Sequence, residues 1–227
     1  MANFYEKLSE KVESKGLKFT IFTTIAILIG GLVEIPPFFL QEQFVQNPNI
    51  KPYNALELAG RDVYQANGCF YCHTQMIRPF KWETDRYNPN KEYGKEPYSK
   101  AEHFVYDHPF LWGSKRTGPD LAHESSIKPS AEWHKRHLMN PRETSEGSIM
   151  PAFPWLFESK VDINQTKANM RALAKVAVPY VQADIDAADA LLQNKTKGDA
   201  LVAYILSLGR DYKEKESILS GWVYIKV

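Results

Sequence analysis

The polar and apolar positions divide the chain sharply near its start. After a charged opening stretch, Phe19 to Leu40 reads FTIFTTIAILIGGLVEIPPFFL, with Glu34 its one charged residue. As a helix these 22 positions reach about 33 Å at 1.5 Å per residue, enough to cross a bilayer core. Lys7, Lys11, Lys15 and Lys18 precede the run, whereas Gln41 to Ile50 holds no Lys or Arg. The positive-inside rule therefore puts the amino terminus in the cytoplasm and exports the rest. The run is longer than the apolar part of a cleaved signal, and Glu34-Ile35-Pro36-Pro37 does not resemble a cleavage site, so an uncleaved anchor is expected. Glu34 falls before an expected Pro-Pro helix exit, at the headgroup boundary or against a neighbouring membrane subunit.

Beyond a Pro-containing linker, Ala55, Leu56, Leu58, Ala59, Val63 and Tyr64 recur at helical spacing, and Asn67-Gly68 marks the exit. From Arg78 to Thr117 the periodicity is lost among Pro, Asn, Tyr and charges, with Ala101 to Asp107 the one helical stretch expected. Ser130 is a natural cap for a helix over Ala131 to Met139, which Pro141 stops. Asn164 to Gln193 reads as helical but broken at Pro179, and Gly198 to Gly209 as a final helix with a glycine stop. The pattern contains no internal repeat and no convincing strand, although Trp222 to Ile225 could pair in an assembly.

Composition adds little until the cysteines are located. The 227 residues carry 28 Lys+Arg against 27 Asp+Glu, a formal charge of +1, so nothing in the bulk balance points to nucleic acid as a partner. The two cysteines lie together as Cys69-Phe70-Tyr71-Cys72-His73. Two thiols three apart can each bond a haem vinyl group while the adjacent imidazole reaches the iron, so the segment reads as attachment of one covalently bound haem c. A structural zinc site would need further Cys or His at matched spacing, and a dithiol redox motif would not require His73. In bacteria such attachment happens on the periplasmic side, which agrees with the charge asymmetry around the anchor.

The sixth iron ligand must be a thioether or a second imidazole. Met150 leads, because Ser148-Ile149-Met150-Pro151 and Phe153-Pro154-Trp155 make a rigid apolar loop. Met139, His103, His108, His123, His134 and His137 stand as alternatives, while Met76 lies too near the attachment loop and Met170 on a later helix. Gly118-Pro119-Asp120-Leu121 resembles the GPxL segment of class I cytochromes c, and that resemblance implies that the Pro119 carbonyl supports His73 from behind. Arg78, Trp112 and Arg116 are candidates for propionate or interface contacts, with Arg78 foremost because it follows the attachment loop closely.

These readings give a mainly α chain: one N-terminal transmembrane helix plus a class I cytochrome c domain with a long loop insertion. The expected division is 1–17 cytoplasmic, 18–41 anchor, 42–54 linker, 55–213 periplasmic mono-haem domain and 214–227 tail. Together, the anchor, CFYCHTQMIRPF, YDHPFLWGSKRTGPDLA, WHKRHLMNPR and SIMPAFPWL resemble the mono-haem subunit II of cbb(3)-type cytochrome c oxidase. The resemblance implies a single-pass subunit of the bacterial inner membrane. Its implied partners are a large haem b and copper catalytic subunit, a di-haem cytochrome c subunit or other c-type donor, and membrane lipid. It implies a relay of electrons from c-type haems to haem b, with dioxygen reduced in the partner and this chain a non-catalytic subunit of the enzyme. A free-standing membrane-anchored cytochrome c carrier is the alternative. The long insertion argues against it, since a carrier needs little beyond the haem fold.

Overall fold

The computed structural model describes residues 2–39, 50–87, 98–113, 115–176 and 178–210. The chain divides into two compact units, Met1–Val45 and Gln46–Val227. In the first, α1 (Ala2–Glu13) gives way to α2 (Gly16–Phe39). Within α2, Gly16–Pro36 is long and apolar enough to cross a membrane, and none of it is buried inside the structure. Such a surface is costly in water and suits a single-pass anchor. The helix runs past the expected Pro36-Pro37 exit to Phe39. Prolines remove only their own N–H groups, so the backbone can hold helical angles for another turn while the carbonyls of Leu32 and Val33 go without those donors.

The second unit is built around two helices distant in sequence. Asn54 caps α3 (Ala55–Ala66), accepting from the Leu56 and Glu57 N–H groups at 3.0 Å while Glu57 returns a bond to the Asn54 N–H. Thr196 and Asp199 form the same reciprocal cap on α10 (Lys197–Ser207), whose exit passes Gly209 at φ 80°. The two helices meet where Gly60 faces Ala200 so closely that a Cβ would lie 1.9 Å from the Ala200 carbonyl oxygen. On one side of this contact Val63, Tyr64, Leu121, Leu138, Leu156, Leu201 and Tyr204 pack together. On the other, Leu58 and Ala200 meet Met170 of α8 (Ile163–Ala174) and Ile185, Ala188 and Leu192 of α9 (Gln182–Leu192).

Around this core lie α5 (Glu124–Ile127), α6 (Ala131–Met139), which Ser130 caps at the Trp133 N–H, and α7 (Pro141–Thr144). Pro179 falls in the break between α8 and α9, as the pattern predicts. The stretch read as irregular contains α4 (Lys81–Tyr87), whereas the expected helix over Ala101 to Asp107 is a single 3-10 turn, Ala101–Phe104. A Lys81–Asp85 pair at 2.8 Å and the buried side chain of Glu83 organise α4, and neither makes an apolar period. Among the described residues the strand-like pairing is one isolated bridge, Lys160 to Thr196. The expected tail and most of the expected linker lie outside the described residues, as do Trp222 to Ile225.

Candidate functional site

Cys69, Cys72, His73 and Pro119 meet where the exit of α3 is held against the segment leading to α5. Gly68, at φ 65°, turns the chain out of α3 through the left-handed region and into the 3-10 turn Cys69–Tyr71. The His73 N–H then donates to the Cys69 carbonyl at 2.9 Å, and the Tyr64 hydroxyl donates to the carbonyl of His73. One helical residue thus anchors the backbone of the loop residue that matters. Cys69 is half-buried against the Tyr64–Leu201 core, Cys72 is exposed, and both are free thiols. Burial pushes the Cys69 thiol up to about 11, so it is protonated at neutral pH.

Residues 72–76 and 116–121 lie side by side. The Gly118 N–H donates to the Cys72 carbonyl at 3.1 Å and the Leu121 N–H to the Thr74 carbonyl at 3.0 Å. Between these rungs His73 Nδ1 sits 3.0 Å from the Pro119 carbonyl oxygen. A carbonyl can only accept, so Nδ1 carries the hydrogen and Nε2 keeps its lone pair. Burial lowers the pKa of His73, against the bond to Pro119, which favours the neutral ring. The approach is close: a Cβ on Gly118 would fall 2.1 Å from His73 Cε1 and 2.6 Å from each ring nitrogen. Glycine at 118 is therefore a steric requirement.

Met150 is part-buried against the same core as Cys69 and Phe70, with its N–H on the Ser148 hydroxyl at 3.3 Å. Its neighbours Ile149 and Trp155 are exposed, as is Tyr71 in the attachment loop. The alternatives are engaged or displaced. Met139 is exposed on α6 and Met170 fills the core of α8. His103 Nδ1 accepts from the Lys100 N–H at 3.1 Å, His134 Nε2 meets the Lys128 carbonyl at 2.9 Å, and His137 Nδ1 meets the Thr144 hydroxyl at 2.6 Å. His123 is buried, and His108 lies beside Arg61.

Arg78, the expected propionate partner, donates through Nε to Glu83 Oε1 at 2.5 Å and lies over the rings of Phe80 and Trp82. Arg116 meets the same carboxylate through Nη1 at 3.1 Å and Nη2 at 2.8 Å, and also reaches the Met76 carbonyl at 2.7 Å and Asp120 at 3.3 Å. Trp112 stacks on Phe110, with centroids 4.3 Å apart, and edges onto Phe104. Glu83 and Asp120, both buried, were not singled out from the sequence. Glu83 stands in a charge-rich segment, KWETDRY, and Asp120 is the variable position of GPxL.

An imidazole whose Nε2 keeps its lone pair, a part-buried thioether and two thiols form a donor set that fits an iron porphyrin. The close fit of Gly118 against the His73 ring, with Nδ1 turned to the Pro119 carbonyl so that Nε2 is the nitrogen with the lone pair, is the structural feature that meets this requirement. The family model described as cytochrome c oxidase, mono-heme subunit/FixO, matches residues 9–202. No curated protein matches the chain. The matched span takes in the apolar helix, the attachment loop, the Pro119 rung and the Met150 loop, and on this ground the chain belongs to the mono-haem subunit family of cytochrome c oxidase.

Proposed function

We propose that the chain is the electron-transfer subunit of a cbb(3)-type haem-copper terminal oxidase, relaying electrons from c-type haems to haem b of the catalytic subunit for reduction of dioxygen to water. The observation that carries this reading is the Pro119 carbonyl 3.0 Å behind His73 in a Cys69-x-x-Cys72-His73 loop. Cys69 and Cys72 would hold one haem c by thioether bonds, with His73 Nε2 and the Met150 sulfur as axial ligands. The haem supplies a one-electron couple when bound. If His73 and Met150 both hold the iron, this chain would offer dioxygen no place to bind, and oxygen chemistry would belong to the partner. Pro119 fixes the His73 ring and raises its basicity. Arg78, with 42 % of its side chain exposed beside Glu83, is the proposed propionate contact.

The lysines ahead of α2 support an N-terminus in the cytoplasm and a haem domain on the periplasmic side of the inner membrane. Exposed Tyr71, Ile149 and Trp155 beside the ligand loops supply apolar rim for electron-transfer partners. Detergent extraction of the full chain tests the proposal. Copurification with a haem b and copper subunit that reduces dioxygen is expected, whereas isolation alone would favour the free-standing carrier. For the ligand, Met150→His should lower the midpoint potential and abolish the thioether-to-iron band at the red end of the visible spectrum. A retained band would assign the sixth position elsewhere.

A further inference from the structure

The bond between Pro119 and His73 is only as well defined as the segment that carries it. The described backbone gives that segment two rungs, at Gly118 and Leu121. A third comes from a side chain, as Arg116 donates to the Met76 carbonyl at 2.7 Å. The same guanidinium grips Glu83 with two nitrogens on two oxygens, at 3.1 and 2.8 Å, and reaches Asp120 at 3.3 Å. Asp120 in turn accepts from the Ala122 N–H at 2.9 Å. Pro119 is thus bracketed by Arg116 three residues before it and Asp120 directly after it, with both tied to each other and Arg116 tied to a buried carboxylate on α4. A two-pronged guanidinium–carboxylate contact fixes orientation as well as distance.

Charges buried in this way are a weak source of net stability, because desolvation consumes most of the attraction. What the arrangement supplies in abundance is orientation. We propose that Glu83, Arg116 and Asp120 form a positioning clamp that aims the Pro119 carbonyl at His73 Nδ1 and so sets the reduction potential of the electron-transfer site. The proposal rests on the reading of His73 as an iron ligand. A firm bond from Nδ1–H to a carbonyl makes the imidazole a stronger donor, which favours the oxidised iron and lowers the potential. Loosening the clamp must therefore raise the potential. It gives the insertion a task, since α4 brings Glu83 to a loop it does not adjoin in sequence.

Arg116→Lys isolates the geometry, because it keeps the positive charge and removes the fork. In the haem-loaded full chain it is expected to favour reduction about tenfold, an upward shift of about 59 mV for a one-electron couple. It should also speed exchange of the His73 Nδ1 proton, read by NMR, about tenfold. Glu83→Gln should speed the same exchange, and Arg136→Lys, at the exposed pair with Glu143, should change neither reading. Arg116→Lys with the parent potential and parent exchange would overturn the clamp, even if its melting temperature falls. If Arg116→Lys does not accumulate, the Glu83→Gln exchange rate decides: faster exchange supports the clamp and unchanged exchange removes it. A parent chain without a His-ligated low-spin spectrum would instead defeat the functional reading, before any variant is made.

Discussion

The contact between α3 and α10 and the contact between residues 72–76 and 116–121 both join distant parts of the chain, by opposite physical means. At the first, shape decides: Gly60 lets two backbones approach, and Leu58, Tyr64, Leu201 and Tyr204 close the surrounding space. At the second, backbone hydrogen bonds and the buried charges of Glu83, Arg116 and Asp120 hold the segments together. Packing tolerates a modest exchange of one hydrocarbon for another but not a collision. A polar ladder tolerates small shifts but not a missing partner. The cofactor loop thus gains directionality from its ladder, and bulk stability comes from the helices behind it, linked to it through the Tyr64 hydroxyl on His73.

The strongest way to break the polar side is Glu83→Leu, which strips Arg116 of its two-pronged carboxylate and leaves it only the longer contact to Asp120 at 3.3 Å. A cost of about 3–5 kcal/mol is expected, read as lost thermal stability of the full chain in detergent; a melting temperature equal to the parent's would show that the charge is not needed there. On the apolar side Gly60→Ala sets a methyl 1.9 Å from a backbone oxygen and 2.7 Å from Tyr204 Cβ, and backbone cannot swing aside. Overpacking of this kind should cost about 3 kcal/mol, or roughly 6–12 °C for a domain of this size. Retention of the parent melting point would mean that the helices separate easily.

Two buried glutamates sharpen the contrast. Burial works to raise Glu83, yet hydrogen bonds from Arg78 and the charge of Arg116 hold it below the ordinary carboxylate value. Burial pushes Glu124 up to about 7, with Lys128 opposing it only in part. A carboxyl raised on folding contributes stability that is fully present below its unfolded value, near 4.5, and lost as pH rises through about 7. Glu124→Gln should therefore gain on the parent by about 1.4 kcal/mol per pH unit between those limits, in paired melts across that range. Parallel pH profiles for the two proteins would refute it. The smallest effect expected is from Asn54→Ala, which removes the cap of α3 at a cost of about 1 kcal/mol and should leave the midpoint potential unmoved, because the cap lies at the far end of the helix from His73.

Much of the helical frame was legible because its signals are local. Ser130 and Pro141 bound α6 by capping chemistry and a missing N–H, and α10 shows its apolar spacing and its glycine exit within a dozen residues. The loop from Cys69 to His73 stands out for a similar reason, since two thiols and an imidazole lie within five positions, the spacing one porphyrin edge would need. The α4 helix was not legible. Its exposed Trp82 and buried Glu83 invert the usual pattern, and what makes Glu83 belong inside is Arg116, 33 residues away.

From the sequence alone came the apolar helix, the attachment loop and the residues offered as ligands, each of which depends on spacing between near neighbours. The tertiary structure decided which carbonyl faces His73, why position 118 has room for nothing larger than glycine, and where the charges of Arg78, Arg116 and Asp120 are neutralised. Those outcomes depend on distances between segments far apart in the chain, and such distances exist only once packing has brought the segments together.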